Sequence, residues 1–266
     1  MNLIPLLNTL LLVSVLGGVL VCLHKIRRVH KMAYRIENEA AQARTEAQAL
    51  FGQLAALASL DRCLGLKGPI PSMRGWAASP VFLLAVAEEV RELRPGNVIE
   101  CSSGTSTVVI ARCLEMNGNG HVYSLEHDST YAEQTRRQLK RYGLEQWATV
   151  VDAPLERIAD FPAPWYSLVG LPETARQVDL VVIDGPPGTL RPLARYPALA
   201  RLADRLSPRC SVLLDDANRA GERAALGRWE QEHPEFVQER LACEKGAVLM
   251  RRRPVPMAGK TLATQE

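Results

Sequence analysis

The sequence predicts an α/β protein in which helices cover both faces of a parallel sheet. From residue 80 onward, short apolar runs alternate with helical patterns, and repeated strand–helix units of this kind build parallel sheets. The run at residues 177–184 is largely apolar, as expected of a strand that is buried on both faces. Two final strand-like runs flank the turn Glu244-Lys-Gly246, and this turn predicts a C-terminal antiparallel hairpin.

Composition and charge limit the classes of function. The 266-residue chain has room for one good-sized domain and accessory segments. Its net charge of +3 is small, and no run of Lys and Arg is interleaved with aromatic residues in the predicted domain, so we expect no nucleic-acid partner. The six cysteines form no Cys-x-x-Cys pair and have no histidine at ligand spacing, which favours reduced thiols over zinc or disulfides.

An apolar segment at residues 3–23 carries no charged side chain and is about as long as a bilayer core is thick. A cleaved signal peptide is the alternative, but no basic residue precedes the segment and no small-x-small cleavage site follows it. We therefore predict a single-pass anchor at residues 1–24 that contacts membrane lipid. Basic residues follow it, and the positive-inside rule then places the C-terminal domain in the cytoplasm. They are Lys25, Arg27, Arg28, Lys31 and Arg35.

A coiled-coil stalk is predicted at residues 25–64. Apolar residues at positions 26–57 recur at alternating steps of three and four, which is the period of a coiled-coil seam. The seam is narrow, which favours a homodimer through residues 26–57. A monomeric stalk, or one amphipathic helix lying on the domain or on the membrane surface, is the alternative. Residues 65–79 predict a linker, residues 80–252 the domain, and residues 253–266 a disordered tail.

Helices and strands alternate through the predicted domain. Ser79 is suited to an N-cap and Pro80 to a first turn, so the first helix begins there. Strands are predicted at residues 97–100, 121–127, 147–151, 177–184, 210–214, 236–243 and 247–251. Helices are predicted at residues 80–93, from 108 onward, and at 131–142, 195–206 and 221–232.

An acidic residue stands at the carboxyl end of each of five consecutive predicted strands. In a doubly wound sheet, ligands bind at this edge, near the point where the strand order reverses. Residues 101–107 are small and lead into a helix, so backbone N–H groups there can face a ligand. The turn lacks Gly-x-Gly-x-x-Gly and Gly-Lys-Ser/Thr, which argues against dinucleotide and triphosphate ligands. The acidic residues are Glu100, Glu126, Asp152, Asp184 and the pair Asp215-Asp216.

The motifs follow one another in a recognisable order. They are Glu-x-x-x-Gly-x-Ser-Thr from Glu100, Ser-Leu-Glu-His-Asp around Glu126, Asp-Ala-Pro-Leu from Asp152, Asp-Gly-Pro-Pro-Gly from Asp184, and Leu-Leu-Asp-Asp before Ala217. This order resembles class I S-adenosylmethionine-dependent methyltransferases over roughly residues 76–251. The resemblance implies a Rossmann-like doubly wound sheet, methyltransferase activity and S-adenosylmethionine as cofactor. Ser102 departs from the pattern, since the family usually has glycine at this position.

The resemblance also implies roles for individual residues. Glu100 would hold the methionine amino end, and Glu126 would bind the ribose hydroxyls. Asp152 and Ala153 would face the adenine amino group, and Asp184 would lie where methyl donor and acceptor meet. The implied cofactor-binding residues are Glu100, Ser102, Ser103, Gly104, Ser106, Thr107, Glu126, His127, Asp152, Ala153 and Asp184.

A metal is one interpretation of the acceptor side. Asp184, Asp215 and Asp216 would bind Mg²⁺ if the site resembles catechol-type O-methyltransferases, whose metal holds the acceptor hydroxyls. Carboxylate oxygens suit this ion. Those enzymes use an Asp-Asn pair, however, and Ala217 stands at the position of the Asn.

A metal-free site is the other interpretation. Asp184 or Asp216 would then act as general base, and Arg195 or Arg219 would anchor an anionic acceptor. A structural pair, with Asp215 capping the next helix and Arg219 bound to it, stays open as well. The predicted catalytic residues are Asp184, Asp216 and Arg219.

The sequence therefore predicts a membrane-anchored methyltransferase for an oxygen of a small-molecule, glycan or lipid-linked acceptor at the cytoplasmic face. The many carboxylates and the lack of an Asn-Pro-Pro-Tyr-type motif favour oxygen as the acceptor atom. The alternatives are a catalytically inactive scaffold or cofactor sensor at the membrane, and a nucleotide-dependent oxidoreductase. Trp165 and Tyr166, in a Pro-rich connection, are interpreted as a lid over the acceptor pocket or as a packed connector.

Overall fold

The computed structural model describes residues 3–71 and 78–253 of the chain. The chain divides into two compact units, Met1–Gly52 and Gln53–Glu266. Predictions for residues 1–2, for linker positions 72–77 with Trp76, and for the tail at 254–266 lie outside the described residues.

One unbroken helix, α1, runs over Leu3–Leu64. The anchor and the stalk, predicted as two segments, are therefore parts of one continuous helix. The segment Leu10–Ala41 is long and apolar enough to cross a membrane, and none of its apolar stretch is buried in the structure. Such length and composition fit a membrane span and also fit an N-terminal signal sequence.

The last turns of α1 belong to the second compact unit. Leu60 and Leu64 are fully buried in its core. The carbonyl of Leu64 lies at the helix end, where it has no partner within the helix, and it accepts a hydrogen bond of 2.7 Å from Arg112 Nε. The folded unit thus begins inside the segment predicted as stalk, rather than at residue 80, because an apolar helix end needs a core to cover it.

Strands and helices of the second unit follow the predicted alternation. The strands are β1 (Asn97–Cys101), β2 (His121–Glu126), β3 (Ala148–Asp152), β4 (Leu155–Glu156), β5 (Trp165–Tyr166), β6 (Val178–Ile183), β7 (Leu206–Leu214), β8 (Phe236–Leu241) and β9 (Ala247–Arg252). The helices after α1 are α2 (Pro80–Leu93), α3 (Thr105–Asn117), α4 (Ser129–Tyr142), α5 (Pro197–Leu202) and α6 (Ala220–Glu232).

Within the described residues, seven of these strands form one sheet in the order β3-β2-β1-β6-β7-β9-β8. The strands from β3 to β7 are parallel, and β9 pairs antiparallel with both β7 and β8. Strands β4 and β5 pair only with each other. The predicted Rossmann-like doubly wound sheet with a C-terminal antiparallel hairpin is confirmed, and its strand order reverses between β1 and β6.

The two faces of the sheet carry separate cores. Leu180 and Val182 of β6 lie in one cluster with side chains of α2, α3 and α4. Val181 and Ile183, which alternate with them, lie in a second cluster with side chains of α5 and α6. The fully apolar centre of β6 is explained by this double burial.

The element predicted as a helix at residues 195–206 is shorter than expected. Helix α5 starts at Pro197, which lacks an N–H and fits the first turn of a helix. A 3₁₀ turn, Ala203–Arg205, follows α5, and β7 then starts at Leu206 because that residue pairs with Val178.

Candidate active site

The small-residue turn between β1 and α3 is supported by Glu100, a fully buried residue of β1. Its Oε2 accepts hydrogen bonds from Thr107 Oγ1 at 2.6 Å and from Ser124 Oγ at 2.5 Å. Thr107 Oγ1 in turn accepts one from the N–H of Gly104 at 3.0 Å. Oε1 of Glu100 is buried with no hydrogen bond of good geometry among the described residues. Burial raises the pKa of Glu100 to about 7, against the opposing effect of the hydroxyl groups.

Ser102 adopts a backbone conformation that favours glycine. Its φ is 125°, a value that residues with a Cβ rarely adopt. The N–H of Ser102 donates a hydrogen bond of 3.0 Å to the carbonyl of Leu125, so the neighbouring strand holds the residue in place. The position at which the sequence departs from the family pattern is therefore the strained position of the turn.

Ser102→Gly is expected to stabilise the fold by about 1 kcal/mol, because glycine adopts this φ without steric cost. Urea unfolding of the full chain in mild detergent measures the change. Ser103→Gly is the matched control, since Ser103 has no positive φ and its hydroxyl bonds to Glu126 at 2.9 Å. The control is expected to lose stability, and a similar loss in Ser102→Gly would contradict the assignment of strain.

Glu126 ends β2 beside the same turn. Its Oε2 accepts hydrogen bonds from the N–H and the hydroxyl of Ser103 at 3.0 and 2.9 Å. Its Oε1 accepts from the N–H groups of His127 and Asp128 at 2.9 and 3.0 Å. Burial works against the charge of Glu126, but the His127 ring, whose Nδ1 lies 3.1 Å from Oε1, outweighs burial together with the hydrogen bonds from Asp128 and Ser103 and lowers the pKa of the carboxyl. Glu126 is thus an ionised acceptor at the edge of the turn.

An acid cluster lies at the ends of β6 and β7. Asp184 follows β6, and Asp215 and Asp216 follow β7. Burial is the main cause that raises the pKa of Asp184 and of Asp215 above the ordinary range of a carboxyl. The N–H of Asp216 donates to Asp215 Oδ1 at 2.8 Å, which explains part of the packing of the pair.

Two arginines bind this cluster. Arg195 is almost completely buried, and its Nη2 donates to Asp184 Oδ1 at 3.2 Å and to Asp216 Oδ2 at 2.9 Å. Arg219 Nη1 lies 2.7 Å from the same oxygen of Asp216, but its side chain is 44% exposed. The predicted pairing of Arg219 with Asp215 is therefore replaced by a pairing with Asp216.

A cavity of about 930 Å³ opens over the turn and the acid cluster. This volume is in the range of cofactor and small-ligand sites. Most of the predicted site residues line it. They are Ser102, Ser103, Gly104, Ser106, Glu126, His127, Asp184, Arg195, Asp215, Asp216 and Arg219.

The other predicted cofactor-binding residues do not line this cavity. Glu100 and Thr107 are buried under the turn. Asp152 is an exposed end of β3, where its Oδ1 accepts a hydrogen bond of 2.8 Å from Arg136 of α4. Ala153 is buried, and its N–H donates to the carbonyl of Glu126 at 2.7 Å. Asp152 and Ala153 are thus not among the residues that line the cavity.

Tyr166 lines the cavity, although no site role was predicted for it. Trp165 and Tyr166 form β5 and are buried, so they are a packed connector and not a surface lid. A Cβ built on Gly185 would lie 2.3 Å from the Tyr166 hydroxyl oxygen, so Gly185 leaves room for this ring. No hydrogen bond to the Tyr166 hydroxyl exists within the described part of the chain. Side chains of α4 and the hairpin that sequence reasoning also missed are Tyr131, Gln134, Thr135, Gln138 and Lys245.

The predicted Mg²⁺ site consists of three neighbouring carboxylates, and an arginine already binds two of them. Asp184, Asp215 and Asp216 each offer a carboxylate oxygen, and these oxygens lie within 4.8 Å of one another. The guanidinium of Arg195 is already hydrogen-bonded to two of the three side chains. The residues as arranged therefore do not fit a Mg²⁺ ion, because the fixed positive charge of Arg195 contacts two of the three carboxylates and repels a second cation.

Residues 99–217 match a protein-family model described as a methyltransferase domain. Protein-L-isoaspartate O-methyltransferase of Staphylothermus marinus is 27% identical in an alignment of 133 positions that covers 48% of this chain and 54% of that protein. This chain thus matches about half the length of that curated relative.

Among solved structures, the chain is similar to the S-adenosylhomocysteine-bound methyltransferase PaMTH1 of Podospora anserina. The TM-score is 0.51 at 16% identity, over 75% of this chain and 88% of that one. The O-methyltransferase TomG of Streptomyces achromogenes, solved with S-adenosylmethionine, has a TM-score of 0.49 at 14% identity, over 75% of this chain and 90% of that one. The match to PaMTH1 supports a common fold.

Residues 99–217 are thus similar to methyltransferase domains, and the strand order is that of a Rossmann-like doubly wound sheet. Both observations support the resemblance predicted from the motifs. Fold similarity at such low identity does not identify a methyl acceptor.

Proposed function

We propose that the chain is an S-adenosylmethionine-dependent methyltransferase that acts on an oxygen acceptor. The observation that carries the proposal is the setting of Asp184. Its Oδ1 is held by Arg195, whereas its Oδ2 accepts no hydrogen bond from the described residues. The turn at 102–106, Glu126 and the unpartnered hydroxyl of Tyr166 line the same cavity. A cofactor and an acceptor hydroxyl would both have polar partners there.

The turn and Glu126 would hold the cofactor. Gly104 has a φ of 151° and nothing within 4 Å of the place of a Cβ, so the backbone is open to a ligand here. The ionised Glu126 supplies the carboxylate that suits a ribose. Glu100, with one unmatched buried oxygen under the turn, fits a cofactor that carries positive charge. S-adenosylmethionine, when bound, supplies a methyl group that is activated by a sulfonium.

Asp184 would remove the acceptor proton. Burial raises its pKa, which brings Asp184 closer to the pKa of an acceptor hydroxyl and makes it a better base. Asp216 is less suited, because both arginines bind its Oδ2 and its Oδ1 is enclosed. Tyr166 would orient the acceptor oxygen, and the half-exposed Arg219 would attract an anionic part of the acceptor.

The N-terminal helix would hold this activity at a membrane. The apolar side chains of Leu10–Ala41 and the basic residues after residue 24 support a single-pass anchor with the domain in the cytoplasm. The acceptor would then be a small molecule, a glycan or a lipid-linked compound at that face. Exposed Ile26, Val29 and Ile36 support a homodimer through residues 26–57. Retention of the chain in carbonate-washed membranes and a dimeric mass in detergent are the expected results.

An inactive cofactor sensor is the second candidate. It is favoured by the strained Ser102 and by Glu126, whose two oxygens already accept four hydrogen bonds from the protein. A sensor would bind S-adenosylmethionine but would produce no S-adenosylhomocysteine with any acceptor. An enzyme would do both.

Calorimetry of the full chain in mild detergent tests cofactor binding. Wild type is expected to bind S-adenosylmethionine with a Kd well below about 1 mM. Glu126→Gln is expected to bind it about 10- to 100-fold more weakly, because a charged hydrogen-bond acceptor is lost. Asp152→Asn is the matched control, since this strand-end carboxylate lies outside the cavity and its affinity should not change. No binding by wild type at about 1 mM cofactor would remove both the enzyme and the sensor proposals.

A further inference from the structure

The acid cluster has the outline of a divalent-cation site. Asp184, Asp215 and Asp216 stand at the carboxyl ends of the adjacent strands β6 and β7. Each offers one carboxylate oxygen, and these three oxygens lie within 4.8 Å of one another. Mg²⁺ binds carboxylate oxygens at about 2.0–2.1 Å in nearly octahedral geometry. A cation bound in the cluster would need these carboxylate oxygens as its ligands.

The positively charged guanidinium of Arg195 already binds one oxygen of Asp184 and one oxygen of Asp216. Its Nη2 donates to Asp184 Oδ1 at 3.2 Å, to Asp216 Oδ2 at 2.9 Å and to the main-chain oxygen of Asp184 at 2.9 Å. Its Nη1 donates to the main-chain oxygen of Asp215 at 2.9 Å. The Nε lies 3.6 Å from Glu222 Oε1. One guanidinium group thus connects the ends of both strands.

The fold fixes this guanidinium in its place. Arg195 is 3% exposed and lies two residues before the start of α5, and its carbonyl accepts a hydrogen bond of 3.2 Å from the N–H of Ala198. Burial opposes its charge, but the surrounding carboxylates outweigh burial and raise the pKa of Arg195. An arginine stays protonated in proteins, so its positive charge is permanent. Moving it out would leave buried carboxylates without a partner, which is strongly unfavourable.

We propose that Arg195 is the built-in cation of this site. It neutralises Asp184 and Asp216 and fixes the positions of their oxygens, which are tasks that a metal ion performs in a metal-dependent site. The wild-type cluster therefore takes no divalent cation. Removal of the guanidinium leaves the carboxylates facing one another and converts the cluster into a divalent-cation site.

Mn²⁺ is a suitable probe, because it prefers oxygen ligands and its free and bound forms are distinguished by electron paramagnetic resonance. The full chain in mild detergent is titrated with Mn²⁺, and no saturable binding by wild type is expected up to about 1 mM. Arg195→Ala is expected to bind Mn²⁺ at least about tenfold more tightly than wild type and to show a rise in Tm on addition of Mn²⁺. The double variant Arg195→Ala with Asp216→Asn should lose both effects.

Two matched variants separate charge from general damage. Arg195→Lys keeps a cation in the cluster and should exclude Mn²⁺. Arg219→Ala removes the half-exposed arginine from the same oxygen of Asp216 but leaves Arg195 in place, so it should also bind no Mn²⁺. Arg195→Gln repeats the comparison in case Arg195→Ala is too unstable to purify.

Two results overturn the proposal. One is saturable Mn²⁺ binding by wild type that Asp216→Asn removes. The other is a failure of both Arg195→Ala and Arg195→Gln to bind Mn²⁺ or to be recovered as folded protein in its presence. Cofactor binding and turnover do not enter this experiment, so its result is independent of the proposed methyl transfer.

Discussion

Asp184→Asn is expected to lower kcat by about 10²- to 10⁴-fold while cofactor affinity changes little. The asparagine keeps the shape of the side chain and can still bond to Arg195, but it cannot take a proton. Release of S-adenosylhomocysteine measures turnover, with a detergent extract of membranes as the source of acceptor. Wild-type kcat should also fall as the pH drops through the raised pKa of Asp184, because the protonated form is not a base.

Two variants frame the result for Asp184. Asp152→Asn changes a strand-end carboxylate outside the cavity and should leave kcat unchanged. Tyr166→Phe removes only the unpartnered hydroxyl and should cost about tenfold in kcat/KM, as expected of one orienting hydrogen bond. Turnover of Asp184→Asn within about twofold of wild type would show that Asp184 is not the general base. Another residue would then remove the proton, or no base would be needed.

The sheet was predictable because its strands are short, apolar and separated by clear turn residues. Val181 and Val182 of β6 face opposite cores, and a strand that is buried on both faces gives an unmistakable apolar run. The carboxylates at the strand ends were predictable for the same reason, because each directly follows an apolar run whose ends are clear in the sequence. Glu126 and Asp184 meet in one cavity because parallel strands bring their carboxyl ends to one edge.

The parts that the sequence could not predict depend on side-chain direction. Asp152 closes its strand like the others, but β3 is an edge strand and Arg136 binds this carboxylate on the outside. Arg195 precedes a short helix, and no periodicity reveals that its guanidinium turns into the acid cluster. Tyr166 enters the cavity through a two-residue strand, whose pairing with Leu155 has almost no signature in sequence.

Glu100→Gln is expected to reduce the pH dependence of stability and to stabilise the chain by about 3 kcal/mol above pH 8. The folded pKa of Glu100 is about 7, raised by burial, whereas the unfolded value is near 4.5. Between these two values the folded state holds a proton that the unfolded state releases. The contribution of Glu100 to stability should therefore fall as the pH rises from 4.5 to 7 and then level off, because Glu100 is ionised in both states above that range.

Urea unfolding of the full chain in detergent between pH 4.5 and pH 8.5 measures this slope. Glu89→Gln is the matched control, because Glu89 is also buried but bonds to Arg251 at 2.6 Å, so its replacement should lower stability. A smaller slope should remain in Glu100→Gln, because the pKa values of Asp184 and Asp215 are also raised. A slope as steep as that of wild type would contradict the role of Glu100.

Cofactor binding should act on the same proton of Glu100. S-adenosylmethionine carries a sulfonium and an ammonium group, and positive charge above the turn favours the ionised form of Glu100. Linkage then requires that ionised Glu100 binds this cofactor more tightly than the protonated form does. The affinity of wild type should rise as the pH passes 7, and S-adenosylhomocysteine, which lacks the sulfonium charge, should show a weaker rise. In Glu100→Gln both rises should become smaller, because the proton of Glu100 is no longer released.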